Sequence, residues 1–125
     1  MPRYREARQP PRPRSTNERR AEWITRVSAK LSRFDAVLSP TVPIAAPTIA
    51  SIETDDTEFF RVNGLLLRNP SFVNVLDGCG ISIPCQAADE LPVGLMIWHG
   101  AMQDDVILNL ALQLEPLLAA PTIKA

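Results

Sequence analysis

The sequence has few of the residues that stabilise small disulfide-linked or metal-binding domains. Two cysteines, Cys79 and Cys85, are too few for a disulfide framework. The single histidine, His99, cannot complete a zinc site, and the spacing of the cysteines matches no metal-binding motif. No apolar run approaches the roughly 20 residues that span a bilayer, and the N-terminus lacks the apolar segment of a secretory signal. We therefore expect a cytoplasmic protein with reduced thiols and no metal or other cofactor.

Charge is distributed unevenly, although the formal net charge of the 125 residues is −1. The first 20 residues hold seven arginines and two glutamates, whereas the remainder holds six basic and twelve acidic residues. Four prolines also fall within the first 13 residues. This composition predicts a disordered basic arm over residues 1–16. A nucleic-acid-binding arm is the alternative, but no nucleic-acid-binding fold follows it, so we expect a solvated tail.

The rest of the chain shows alternating helix and strand patterns. Ser15 and Glu18 have the spacing of a capping box, and apolar residues follow at helical intervals over about 17–33. Prolines make 40–50 extended, and 51–58 is an acidic loop. We expect Pro70 to interrupt one helix and Pro116 to end or kink another, with Asp104 or Asp105 as a cap. The predicted strands lie near 36–39 (buried), 81–83 and 93–98 (covered on both faces), and the other helices near 59–67 and 104–115.

Several segments carry a family resemblance in their order and spacing. They are FDAVLSPTVP at 34–43, LRN at 67–69, GISIPC at 80–85, LPVGLMI at 91–97 and DDVILNLA at 104–111. Together they resemble the C-terminal part of the amidase signature family, which includes bacterial amidases and the amidase subunit of glutamyl/aspartyl-tRNA amidotransferases. The resemblance implies an α/β fragment of a large, mixed, helix-covered sheet. It places this domain at 17–118, between the basic arm and a tail at 119–125.

The resemblance also implies amide C–N bond hydrolysis by a Ser–cis-Ser–Lys triad in the complete enzyme. Such a serine needs a positioned base, the lysine must be buried to act as one, and the oxyanion needs aligned N–H donors. This sequence has no Ser-Ser pair and no Gly-rich run, and its two lysines are Lys30 and Lys124. It therefore has no catalytic residues of that triad, and we expect the chain alone to be inactive.

Other candidate site residues follow from position. By the resemblance, Arg68 and Asn69 lie on the substrate side of the acyl pocket, with Asn74 structural; a surface or ion-pairing arginine is the equal alternative for Arg68. A Cys–His pair of His99 with either cysteine is disfavoured, because free cysteines are usually buried apolar residues. Many such amidases have Thr where this chain has Pro70 and Pro where it has Cys79, so the local pocket differs.

Three functional hypotheses remain. The chain is a C-terminal fragment of an amidase, one component of a split amidase completed by a partner chain, or a non-catalytic interaction module. Its apolar strands favour the first two hypotheses, and exposed strand edges of this kind pair or self-associate. We expect a complementary amidase chain or self-association, a small amide substrate only in the complete enzyme, and no membrane or nucleic-acid partner. The segment Asp77-Gly78-Cys79 is slightly more similar to simple bacterial amidases.

Overall fold

The computed structural model describes residues 14–119, which form four helices and three strands within that range. The predicted arm up to residue 13 and the predicted tail from residue 120 lie outside the described residues. In chain order the elements are α1 (Thr16–Leu31), β1 (Val37–Pro40), α2 (Ile49–Ile52), α3 (Asp56–Val75), β2 (Cys79–Pro84), β3 (Gly94–His99) and α4 (Asp104–Ala119).

The start of α1 is fixed by the predicted capping box. The Ser15 hydroxyl accepts from the Glu18 amide at 3.2 Å, and the Ser15 amide donates to the Glu18 carboxylate at 2.7 Å. These bonds satisfy two of the four main-chain donors that a helix leaves free at its N-terminus. The prediction is confirmed, and α1 begins at Thr16, at the end of the predicted arm.

The three strands form an antiparallel sheet in the order β1-β3-β2. Strand β3 is central, and Met96, Ile97 and Trp98 are all buried. This burial explains the continuous apolar run in its sequence, because a strand covered on both faces has no polar side. The prediction that residues 93–98 form a strand covered on both faces is confirmed for these three residues.

The register of the strands separates two apolar layers. Val37 and Trp98 pair on the face that packs against α1 and α3, whereas Ile81 and Ile97 pair on the face that α4 covers. The alternation follows from the two-residue period of a strand. The layers are therefore helices, sheet and helix. Buried residues of the first layer are Leu31, Val73, Leu76, Met96 and Trp98; those of the second are Ile83, Ile97, Ile107 and Ala111.

Helix α3 differs from its prediction at both ends. It begins at Asp56 within the predicted acidic loop, because the Asp55 carboxylate accepts from the amides of Thr57 and Glu58 at 2.9 and 3.1 Å. It also continues through Pro70, so the predicted interruption is wrong. The proline removes one internal hydrogen bond, but burial of Val62 and Val73 on either side holds the helix together.

The C-terminus of α3 is a Schellman turn formed without glycine at its left-handed position. The Asp77 amide donates to the Asn74 carbonyl at 3.2 Å, and the Gly78 amide donates to the Val73 carbonyl at 3.0 Å. Asp77 has φ of 55°, a conformation that glycine usually occupies. Its carboxylate forms an ion pair with Arg20 of α1. The turn therefore joins the end of α3 to α1.

Three further predictions are wrong. Asp104 and Asp105 form the first turn of helix α4 instead of capping it. The helix continues through Pro116 to Ala119, so of the two predicted outcomes at this proline, an end or a kink, the end is excluded. Residues 49–52 form the short α2 and not an extended stretch or loop. Strand β1 lies at an edge of the described sheet with Leu38 55% exposed, so it is not a buried strand.

Candidate functional site

A cleft lies between α3 and the end of β1, and it contains both predicted substrate-side residues. Its volume is ≈ 460 Å³, which falls within the range typical of small-molecule sites. Arg68 and Asn69 border it from α3. Its other principal lining residues come from β1, α3 and β3: Ser39, Phe72, Met96 and Trp98.

Both ends of the Asn69 side chain are engaged within the protein. Its Nδ2 donates to the main-chain carbonyl of Pro40 at 2.8 Å, and its Oδ1 accepts from Arg68 Nε at 3.2 Å. The first bond holds the middle of α3 against the edge of β1. The second fixes the orientation of the neighbouring guanidinium. In this geometry Asn69 positions Arg68 and supports the cleft.

Arg68 is exposed and forms no ion pair with a carboxylate among the described residues. The ion pairs in that part of the chain are Arg14–Glu22, Arg20–Asp77 and Arg61–Glu58. The Asn69 oxygen that accepts from Arg68 is neutral, so the positive charge of the guanidinium is not compensated there. Its terminal N–H groups form no hydrogen bond within the described residues.

The apolar part of the cleft is built from specific side-chain contacts. The rings of Phe72 and Trp98 meet edge to face, with centroids 5.4 Å apart. Trp98 Nε1 donates to Ser39 Oγ at 3.2 Å, so the polar atom of this buried indole is satisfied. Sequence reasoning did not assign these residues to the site. Phe72 follows Arg68 by four residues and shares its helix face, which is the pattern that could have indicated it.

The cysteine and the histidine considered as a catalytic pair are close in the sheet but are not joined. Cys79 and His99 are opposite each other in the β2–β3 register. The thiol of Cys79 donates to the Gly100 carbonyl at 3.4 Å, whereas His99 Nε2 contacts the carbonyls of Leu31 and Phe34 at 3.4 and 3.2 Å. His99 Nδ1 is buried without a partner in the described part of the chain. This arrangement does not activate a thiol nucleophile, which needs a base within hydrogen-bond reach.

The acidic residues near the start of α3 have structural roles. Asp55 caps the helix, and Arg61 donates to the Glu58 carboxylate at 2.6 and 2.7 Å. The Arg61 hydrogen bonds lower the pKa of Glu58. Within residues 14–119 no three His, Cys, Asp or Glu side chains are grouped so that they could hold a metal ion. None of the helices in this range is both long and apolar enough to cross a membrane.

Comparisons with known proteins identify the family. The Amidase family model matches residues 4–108. The chain is 37% identical over 83 residues to a glutamyl-tRNA(Gln) amidotransferase subunit of Salinispora tropica, a match that covers 66% of this chain and 16% of the relative. It is 30% identical over 105 residues to 2-amino-5-chloromuconic acid deaminase of Comamonas testosteroni, covering 80% of this chain and 22% of the relative. The chain therefore belongs to the amidase family, and it spans less than a quarter of the length of these relatives.

Proposed function

We propose that this chain supplies the C-terminal part of an enzyme that hydrolyses amide C–N bonds, and that the serines and lysine of the reaction come from another part of the fold. The observation that carries the proposal is membership of the amidase family over a length that covers only 16–22% of the relatives. The sequence has no Ser-Ser pair. Lys30 is exposed on α1 and does not line the cleft.

Strand β1 offers an edge at which the rest of such a fold can join. The Thr41 amide donates to the Gly94 carbonyl at 2.8 Å, so the amides of alternate residues in β1 also point towards β3. The main-chain groups of Leu38 consequently point outwards. The Leu38 side chain is on the sheet face that α4 covers elsewhere, yet it is 55% exposed because α4 lies over β2 and β3. An uncovered apolar side chain beside free main-chain groups favours a further strand here.

The exposed apolar side of helix α4 also indicates that a further part of the fold covers this region. Ile107 and Ala111 are buried against the sheet, but the helix is also apolar outside this stripe: Leu112 is 70% exposed, and Leu108 and Leu117 are exposed as well. A surface helix normally carries polar residues outside its buried stripe, whereas a helix that is apolar all round is buried. We assign the covering partner to the catalytic part of an amidase, since more than three quarters of each relative lies outside the matched segment.

Within this enzyme, Arg68 contacts the substrate and Asn69 positions Arg68. The unpaired guanidinium beside an apolar cleft supports this assignment. The two free cysteines fit the reducing cytoplasm, which is where we place the protein.

Co-expression tests the proposal directly. The full chain is produced together with the Salinispora tropica amidotransferase subunit from which the matching segment has been deleted, and separately in a covalent graft that replaces this segment. We expect release of ammonia from small amides by the joined forms and none by either part alone. Activity of the chain alone, or inactivity of both joined forms, contradicts the proposal. Formation of a stable homodimer that excludes the added part favours self-association instead.

A further inference from the structure

We propose that the cleft between α3 and β1 recognises the carboxylate of an amphipathic ligand, so that the amide substrate of the complete enzyme carries an acid group on an apolar or aromatic body. This inference rests on the proposed function for the hydrolysis step only. Binding by the cleft is a property of residues within this chain and can be measured without catalysis.

The charge of the cleft indicates that its ligand is an anion. Arg68 is the charged residue among those lining the cleft in the described part of the chain, and no carboxylate lies within ion-pair distance of it there. Arg19, Arg26 and Arg33 also form no ion pair in this part of the chain, but Arg68 is the one that lines the cleft. An uncompensated guanidinium attracts an anion and repels a cation.

Hydrogen-bond geometry narrows the type of anion. Arg68 Nε is already occupied by Asn69 Oδ1 at 3.2 Å, which leaves the two terminal nitrogens as donors. Their N–H groups lie in one plane and match the two oxygens of a carboxylate. Asn69 is itself held by Pro40 at 2.8 Å, so the guanidinium is oriented before a ligand arrives. Such orientation reduces the entropy lost on binding.

The remainder of the cleft determines the body of the ligand. Phe72, Met96 and Trp98 provide an apolar wall, and the indole N–H is directed to Ser39 and not to the cleft contents. A volume of ≈ 460 Å³ accommodates a single aromatic ring with its substituents. A carboxylate on a ring or short apolar chain therefore contacts both the guanidinium and the apolar wall. A fully polar acid would bury no apolar surface against that wall.

The test is a titration of the full chain observed through the indole N–H of Trp98 by NMR. The probes are 4-carbamoylbenzoate, benzamide, and the cation 4-(aminomethyl)benzamide. We expect a saturable shift with the acid and binding at least about tenfold weaker for both other probes, as expected for loss of a charge-assisted bond. Arg68→Gln removes the preference, and Arg68→Lys retains part of it. Arg61→Gln, on the same helix but outside the cleft, is the matched control.

Equal binding of the acid and benzamide, unchanged affinity in Arg68→Gln, or no Trp98 shift up to the solubility of the acid overturns the inference. The same titration is repeated on the joined form from the co-expression experiment. It tests whether the cleft binds the acid only when the rest of the fold is present. Selective binding without amide hydrolysis by the joined forms contradicts the proposed function but leaves this inference intact. Amide hydrolysis by the joined forms without selective binding of the acid contradicts this inference but leaves the proposed function intact.

Discussion

Asn69 donates its side-chain amide to the main-chain carbonyl of Pro40 at 2.8 Å, and this bond joins the middle of α3 to the outer edge of β1. The carbonyl points away from β3, where a further strand would otherwise find an acceptor. The bond therefore closes the end of this edge and leaves Leu38 as the residue with both main-chain groups free to pair. It also places Arg68 at the junction between the described sheet and the proposed remainder of the fold.

Replacing Asn69 tests how much its side-chain hydrogen bonds stabilise the fold. In Asn69→Ala the bonds to Pro40 and Arg68 are lost, and we expect the free energy of unfolding to fall by about 1 kcal/mol. Chemical denaturation of the full chain measures this loss. Asn63→Ala, an exposed position on the same helix, is the control and should change stability by less than about 0.5 kcal/mol. Equal effects at the two positions would show that the Pro40 bond does not support the fold.

The outer edge of β1 can be tested by removing its one outward amide. Leu38→Pro deletes this donor, so we expect binding of the co-expressed catalytic part to weaken by about fivefold or more. Ser82→Pro is the matched control, because alternation from the Cys85–Val93 bond directs the Ser82 amide outwards at the opposite edge. Leu38→Asp leaves the main chain intact and places a charge on the uncovered face. Loss of binding in Ser82→Pro but not in the two Leu38 variants would show that the catalytic part joins at β2 and not at β1.

The sequence predicted those elements whose local pattern and tertiary environment agree. The capping box of Ser15 and Glu18 lies within four residues, and the apolar run of β3 reports burial on both faces, so both were correctly predicted. Pro70 was wrongly predicted to interrupt a helix because the cost of a proline is local, whereas the burial that offsets it comes from distant strands. Long-range packing is not encoded in the spacing of neighbouring residues.

The candidate site was only partly predictable for the same reason. Position within the family resemblance indicated Arg68 and Asn69, but it did not distinguish the residue that we propose contacts the ligand from the one that we propose orients it. This distinction depends on Pro40, which is 29 residues away in sequence and adjacent in space. Trp98 and Ser39 likewise meet only because β1 and β3 pair in one register.

The left-handed residue after α3 gives a prediction about local strain. Asp77 has φ of 55°, which a β-branched residue adopts poorly, so Asp77→Val should destabilise the chain by about 1–2 kcal/mol. Asp77→Gly removes the strain and the ion pair with Arg20 together, and we expect a net change within about 1 kcal/mol. Arg20→Ala reports the loss of that arginine's contacts alone. Thermal unfolding of the three variants measures these differences. A Val variant as stable as the Gly variant would exclude the left-handed turn.

Two glycines should respond in opposite directions to the same substitution. A Cβ at Gly94 would lie 2.5 Å from Ser82 Oγ and 2.6 Å from Thr41 Oγ1, which already contact each other at 2.5 Å. Gly94→Ala should therefore destabilise the chain by about 1–3 kcal/mol, because these hydroxyls must move apart. At Gly64, inside α3, a Cβ meets nothing within 4 Å, so Gly64→Ala should stabilise it by about 0.5–1 kcal/mol through helix propensity. Denaturant titrations of both variants, with Gly94→Ala repeated in a Ser82→Ala background, measure the effects. If Ser82→Ala restores none of the lost stability, the close approach of the two hydroxyls over Gly94 is not what requires glycine there.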